Sequence, residues 1–234
     1  MSGDTVTPRF AEWAWLGRVP FPQALRLQER LRAEVAAGGA PETLLLLEHE
    51  RVITLGRHAQ PANVLASREQ LAKDGISVVP TSRGGDVTFH GPGQLVGYPV
   101  FRLPGGIKAH VTAMADGIVA TLAELDIVAE WRASRPGIWV GSDKICAVGI
   151  HVRRRVAMHG FALNASVDLA GFRDIVPCGL ANAGVTSIAR LRGSAPELVD
   201  LAARVAHAFA RSFGIRMVKI PAASSRLQIA NGES

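Results

Sequence analysis

The twelve residues from Arg83 to Gln94 read R-G-G-D-V-T-F-H-G-P-G-Q, with four glycines and one proline among Arg83, Thr88, His90 and Gln94. Glycine permits left-handed backbone and close approach of a ligand, at an entropic cost to folding. Apolar runs at Ile76–Val79 and Leu95–Phe101 flank the stretch and read as strands. The chain is therefore predicted to build an irregular, polar connection between strands, suited to gripping a substrate. Neither G-x-x-x-x-G-K-[ST] nor G-x-G-x-x-G is present, so a phosphate cradle is not indicated. Arg83 and His90 could still bind an anionic or carbonyl group.

The remaining pattern mixes strands and helices without strict βαβ alternation. Helices are expected at Phe21–Ala37, Ser67–Asp74, His110–Leu125 and Pro196–Phe213, and strands at Thr43–Leu47, Val52–Leu55, Gly137–Val140, Lys144–Val152 and Val156–Leu163. The last two flank Arg153-Arg154-Arg155 and suggest a hairpin. This is an α/β chain of the α+β kind, a mixed sheet flanked by helices. No repeat or linker divides it, so residues 1–234 are expected to form a single domain with its core between about 21 and 215 and a frayed polar tail at 222–234.

Composition narrows the function. The net charge is +6 and the pI near 10.1, but the 26 Lys and Arg are scattered and aromatics are 6%. A nucleic-acid binder would cluster basic and aromatic residues, so an acidic protein or small molecule is the expected partner. No run approaches the ~20 apolar residues that span a bilayer, so no membrane role is expected. No signal peptide is visible at the N-terminus, and two cysteines make no disulfide framework. A cytoplasmic location with reduced thiols is expected.

Cys178 lies between Pro177 and Gly179, a pattern that predicts a turn where a backbone N–H can face a reacting carbonyl. It is either a structural thiol or a nucleophile that wants partial exposure and a nearby base. Lys144 opens an apolar strand. It is either a solvated strand end or a desolvated amine of reduced basicity, able to take a thiol proton. Cys146, between Ile145 and Ala147, reads as a core residue. The seven histidines show no metal-ligand spacing, and no metal is expected.

Taken together and in order, five pieces resemble the lipoyl(octanoyl) transferases. They are Leu55-Gly56-Arg57; Arg83-Gly84-Gly85 through Thr88, His90-Gly91-Pro92-Gly93-Gln94 and Tyr98-Pro99; Lys144-Ile145 with Gly149; His159-Gly160 with Ala162-Leu163-Asn164; and Pro177-Cys178-Gly179. The resemblance implies a fold like that of the biotin and lipoate protein ligase catalytic domains. It implies an acyltransferase that moves octanoyl from acyl carrier protein to a lysine of lipoyl domains, those of 2-oxoacid dehydrogenase E2 subunits and of the glycine cleavage H protein. The family's nucleophile falls on Cys178 and its partner lysine on Lys144. Its substrate-binding segments fall on Arg83, Gly84, Gly85, Asp86, Val87, Thr88, Phe89 and His90, on Ala147, Val148 and Gly149, and on Gly160, Phe161 and Ala162. No cofactor is implied, since the acyl donor is already activated. Phe89 stands where Tyr is common, and Cys146 where Ala is common. Arg153, Arg154 and Arg155 are candidates for docking the acidic carrier protein, against a plain solvated turn. An ATP-dependent lipoate–protein ligase and a non-catalytic module that binds carrier protein or lipoyl domains are the competing readings.

Overall fold

The computed structural model describes residues 9–176 and 184–228. Its main sheet begins with β1 (Phe10–Arg18), which lies between β12 (Arg216–Lys219) and β2 (Glu42–Glu48), parallel to both. From β2 the order continues through β6 (Gln94–Val100), β10 (Val156–Asn164), β9 (Asp143–Arg153), β8 (Ile138–Val140) and β7 (Glu130–Trp131), each pair antiparallel. The two-residue strand β11 (Gly184–Val185) pairs parallel with β9 off this path. A small second sheet has the order β4 (Ser77–Pro80), β3 (Val52–Leu55), β5 (Val87–His90).

Alternation along β2 explains how the main sheet is covered. Leu44 and Leu46 face one core, packed with Met114 and Ile118 of α3 (Gly106–Ala123) and Val205 and Phe209 of α5 (Leu198–Ser212). Leu45 and Leu47 face the other, with Leu27, Leu31 and Val35 of α1 (Phe21–Ala37). Successive strand side chains point to opposite faces, and a sheet buried on both sides therefore reads as an unbroken Leu run. The small sheet closes a third core beside α2 (Arg68–Lys73). Helix α4 (Ile188–Arg192) caps itself through Ser187 Oγ, which accepts from Arg190 N–H at 3.1 Å.

Two expectations change here. Arg83–Gln94 is not one loop, because Val87–His90 forms β5, paired with β3 from Leu55↔Val87 to Val52↔His90. Thr43–Leu47 and Val52–Leu55 are both strands, as expected, and the short turn between them carries the chain from one sheet to the other. The tail is not frayed through Gln228: Leu227 is buried among α1 residues, Arg226 pairs with Glu12, and Arg30 Nη2 donates to the Arg226 and Gln228 carbonyls at 2.7 and 3.0 Å. A single apolar anchor with charged partners on α1 and β1 was enough to dock it.

Candidate active site

The glycine-rich segment is stitched onto both sheets. Gly56 N–H donates to Asp86 O (3.0 Å), Arg57 N–H to Arg83 O (2.9 Å), and Gly84 N–H to Ile150 O of β9 (2.9 Å). Gly149 makes the last contact possible, since a Cβ there would stand 2.8 Å from the Gly84 carbonyl oxygen. Gly85 takes φ +89°, left-handed backbone that a side chain would strain. The segment thereby roofs a cleft of about 350 Å³ whose floor is β9 and β10. That volume lies toward the small end of ligand clefts, ~300–1,000 Å³.

The cleft gathers most of the residues named from sequence: Arg83 to Thr88, His90, Ala147 to Gly149, and Gly160 to Ala162. Phe89 is the exception. It points off β5 to the opposite side, into the small core, with its ring 5.5 Å from Phe172. Strand alternation separates it from Thr88 and His90, which the glycine count had hidden. Asp86 borders the cleft, but its carboxylate accepts from Gln60 N–H (3.1 Å) and from Asn63 Nδ2. Phe21, His58, Tyr98, Pro136 and His159 also line the cleft. Tyr98 and His159 stood within the motif pieces; Phe21, His58 and Pro136 carry no signal in the sequence.

A hydrogen-bonded chain runs from the roof to the floor. Arg83 donates to the Thr54 carbonyl (2.6 Å) and to Thr54 Oγ1 (3.0 and 3.2 Å). Arginine can only donate, so the Thr54 hydroxyl proton is left for His90 Nε2 at 3.3 Å. His90 Nδ1–H then donates to Gln94 Oε1 at 2.7 Å. Gln94 Nε2 donates to Asn164 Oδ1 (2.9 Å), and Asn164 Nδ2 to the Thr186 carbonyl (2.9 Å). Thr186 N–H closes the path on the Lys144 carbonyl at 3.0 Å. Burial first, then the neighbouring His49, pushes His90 down to about 3. At neutral pH it is an uncharged link, not a general acid. His159 sits at φ +60° with Nε2 3.1 Å from Ser82 Oγ, and burial followed by Arg83 lowers it to about 3.

Lys144 owes its orientation to a β-bulge. Trp139 opposes Lys144 and Ile138 opposes Cys146, which leaves Ile145 as the extra residue on β9. A bulge re-aims the side chains beside it. Ile145 and Cys146 both enter the core under α3 and α5, while Lys144 joins Ala147 on the cleft side. Its Nζ lies 5.0 Å from the Trp139 ring centroid, and its stem lies over Gly137, where a Cβ would come within 3.0 Å of Cε. Lys144 is 6% exposed and lines a small recess that shares Thr88, Ala147 and Ala162 with the cleft. Cys146 is fully buried and its thiol is pushed well up by burial, so it is the core residue expected. Cys178 lies outside the described residues. The hairpin at Arg153–Arg155 is present, with Arg154 and Arg155 exposed at φ +51° and +60°. It stands ten residues from Lys144, roughly 30 Å along β9, and forms no part of the cleft.

A model of the family described as the lipoyl protein ligase A/B catalytic domain matches residues 20–210. The chain belongs to that family. Within it, the octanoyltransferase of Solibacter usitatus is 47% identical over 212 residues, covering 89% of this chain and 94% of that protein. The fold of this lipoyl protein ligase A/B domain is shared with the bipartite lipoate protein ligase of Thermoplasma acidophilum, at a TM-score of 0.71 and 16% identity over 93% of this chain and 89% of that one. It extends to the biotin protein ligase of Aquifex aeolicus, at 0.53 and 12% identity over 86% and 69%. Among the described residues, no helix is long and apolar enough to cross a membrane, and no cluster of three His, Cys, Asp or Glu is placed to hold a metal ion.

Proposed function

We propose that this chain is an octanoyltransferase that moves octanoyl from acyl carrier protein to a lysine of a lipoyl domain through a thioester on Cys178. The observation that carries the reading is 47% identity to an octanoyltransferase over nearly both whole lengths. The cleft supports it. Ala147, Gly149, Gly160 and Ala162 leave room for an acyl chain over the paired strands β9 and β10. Each buried CH₂ contributes about 0.8 kcal/mol, so six would supply roughly 5 kcal/mol of binding.

In the first step the Cys178 sulfur attacks the donor carbonyl, a new C–S bond forms, and the carrier's thiol leaves with a proton. In the second, the acceptor lysine amine attacks that thioester, an amide forms, and Cys178 regains its hydrogen. Lys144 is the group proposed to take up and return protons in both steps. Its support is position: it lines the recess beside the cleft, on the strand that pairs with Gly184 and Val185, six and seven residues after Cys178. Backbone N–H groups would stabilise the oxyanion. The acceptors proposed are lipoyl domains of 2-oxoacid dehydrogenase E2 subunits and the glycine cleavage H protein. The proposed location is the cytoplasm, which keeps Cys178 reduced.

The test is intact mass spectrometry after mixing with octanoyl–acyl carrier protein and no nucleotide. An octanoyl adduct that disappears in Cys178→Ala and moves to an added lipoyl domain is the expected result. Transfer only from free octanoate with ATP would make the chain a ligase instead. No transfer from either donor, with carrier protein still bound, would make it a binding module.

A further inference from the structure

The proposal rests on the reading that Cys178 is the nucleophile. It concerns Asp86 and Asn164, two buried or half-buried polar residues to which that mechanism gives no chemical step. Both are tied to described residues at the edges of 177–183. On the N-terminal side, Val176 N–H donates to the Asn63 carbonyl at 2.8 Å, and Ile175 bridges Val64. Asn63 is held in turn by its side-chain amide, which donates to Asp86, while the other Asp86 oxygen accepts from Gln60 N–H. On the C-terminal side, Asn164 Nδ2 donates to the Thr186 carbonyl, and Thr186 N–H donates to the Lys144 carbonyl. Asn164 is oriented by Gln94, and Gln94 by His90. Both clamps thus start on the glycine-rich segment that roofs the cleft.

We infer that Asp86 and Asn164 are positioning residues, clamping Val176 and Thr186 so that binding at the cleft roof and the placement of the transfer machinery are mechanically joined. Asp86 was expected to bind substrate, yet its two oxygens are occupied by Gln60 and Asn63. The donor and acceptor pattern makes the idea specific. Asn164→Asp keeps the oxygen that accepts from Gln94 but sets a second oxygen against the Thr186 carbonyl. Asp86→Asn presents an NH₂ to the Asn63 NH₂. Adding Asn63→Asp to Asp86→Asn reverses the pair and restores a donor–acceptor contact.

Steady-state transfer, measured against donor concentration in the full chain, provides the test. Small misplacements of reacting groups cost up to about a hundredfold in rate. Asn164→Asp and Asp86→Asn should each lower kcat roughly ten- to a hundredfold with donor KM within about twofold, and the Asn63→Asp/Asp86→Asn swap should recover most of the kcat. Thermal melts report whether each variant is folded, and a poorly folded Asp86→Asn leaves Asn164→Asp to decide. A rise in KM at constant kcat would make these residues substrate contacts and overturn the proposal. So would unchanged kinetics, or a swap that fails to rescue. A Cys178→Ala protein that still transfers would instead overturn the nucleophile assignment, a separate outcome from any of these.

Discussion

Four buried histidines predict a steep loss of stability in mild acid. Burial is the largest cause of each shift: it places His49 and His110 at about 4, and His90 and His159 at about 3, against 6.5 in the unfolded chain. Burial prevails even where a hydrogen-bond partner favours the charged form, as the Val19 carbonyl does at His49. His49 donates from Nδ1 to the Val19 carbonyl (2.6 Å) and accepts at Nε2 from the Tyr98 hydroxyl (2.6 Å). His110 is wedged edge-on between Phe101 and Phe213, with Arg9 the next cause of its depression. Above pH 6.5 both folded and unfolded chains carry neutral imidazoles, and stability from this source is complete. As pH falls from 6.5 toward 4, only the unfolded chain takes up protons, so stability falls; below about 3 the loss levels off. At pH 5.5 each histidine costs about 1–2 kcal/mol, and the four together cost roughly 5–6 kcal/mol. Domains of this kind hold only ~5–15 kcal/mol in total. Urea unfolding at pH 7.5 and 5.5 measures the difference directly. His110→Leu removes one proton site and should recover about 1 kcal/mol of the pH dependence. A free energy of unfolding that changes by less than about 1 kcal/mol between the two pH values would refute the reasoning.

Gly149→Ala forces a Cβ to 2.8 Å from the Gly84 oxygen, against the ordinary 3.4 Å or more. The loop must lift and weaken the Gly84–Ile150 hydrogen bond, so melting should fall by ~2–10 °C, for about 1–3 kcal/mol, and donor KM should rise; an unchanged melt would place the loop elsewhere. Lys144→Met keeps the stem over Gly137 but removes the amine. Transfer should slow by ~10²–10⁴ with donor binding retained, as for a lost acid–base group, and wild-type turnover would remove Lys144 from the mechanism. Cys146→Ala should still acquire the octanoyl adduct, because its thiol is buried in the core; loss of the adduct in this variant, but not in Cys178→Ala, would exchange their roles.

Much of the site was legible because its backbone contacts admit only particular residues. Gly56, Gly149 and Gly160 stand where a neighbouring carbonyl oxygen would lie less than 3 Å from a Cβ, and that requirement is written as glycine. The hairpin around Arg153–Arg155 and the three long helices followed from alternation and helical spacing. The strand β1 was missed. Its partners β2 and β12 come from opposite ends of the chain, and nothing local announces such pairing. Val87–His90 was hidden inside a glycine-rich stretch because four residues are too few to show a period. Cys178 lies outside the described residues, and its role stands as a proposal.

By itself the sequence determined the family, the apolar strands that stack into a sheet, and the glycines that let one segment lie on another, because close packing and backbone freedom depend on residue type. Only the tertiary structure decided that Lys144 turns toward the cleft, through one extra residue at Ile145; that Phe89 turns away; and that His90 stays neutral between Thr54 and Gln94. Direction and charge state depend on what long-range neighbours surround a group, and those neighbours exist only after the chain has closed.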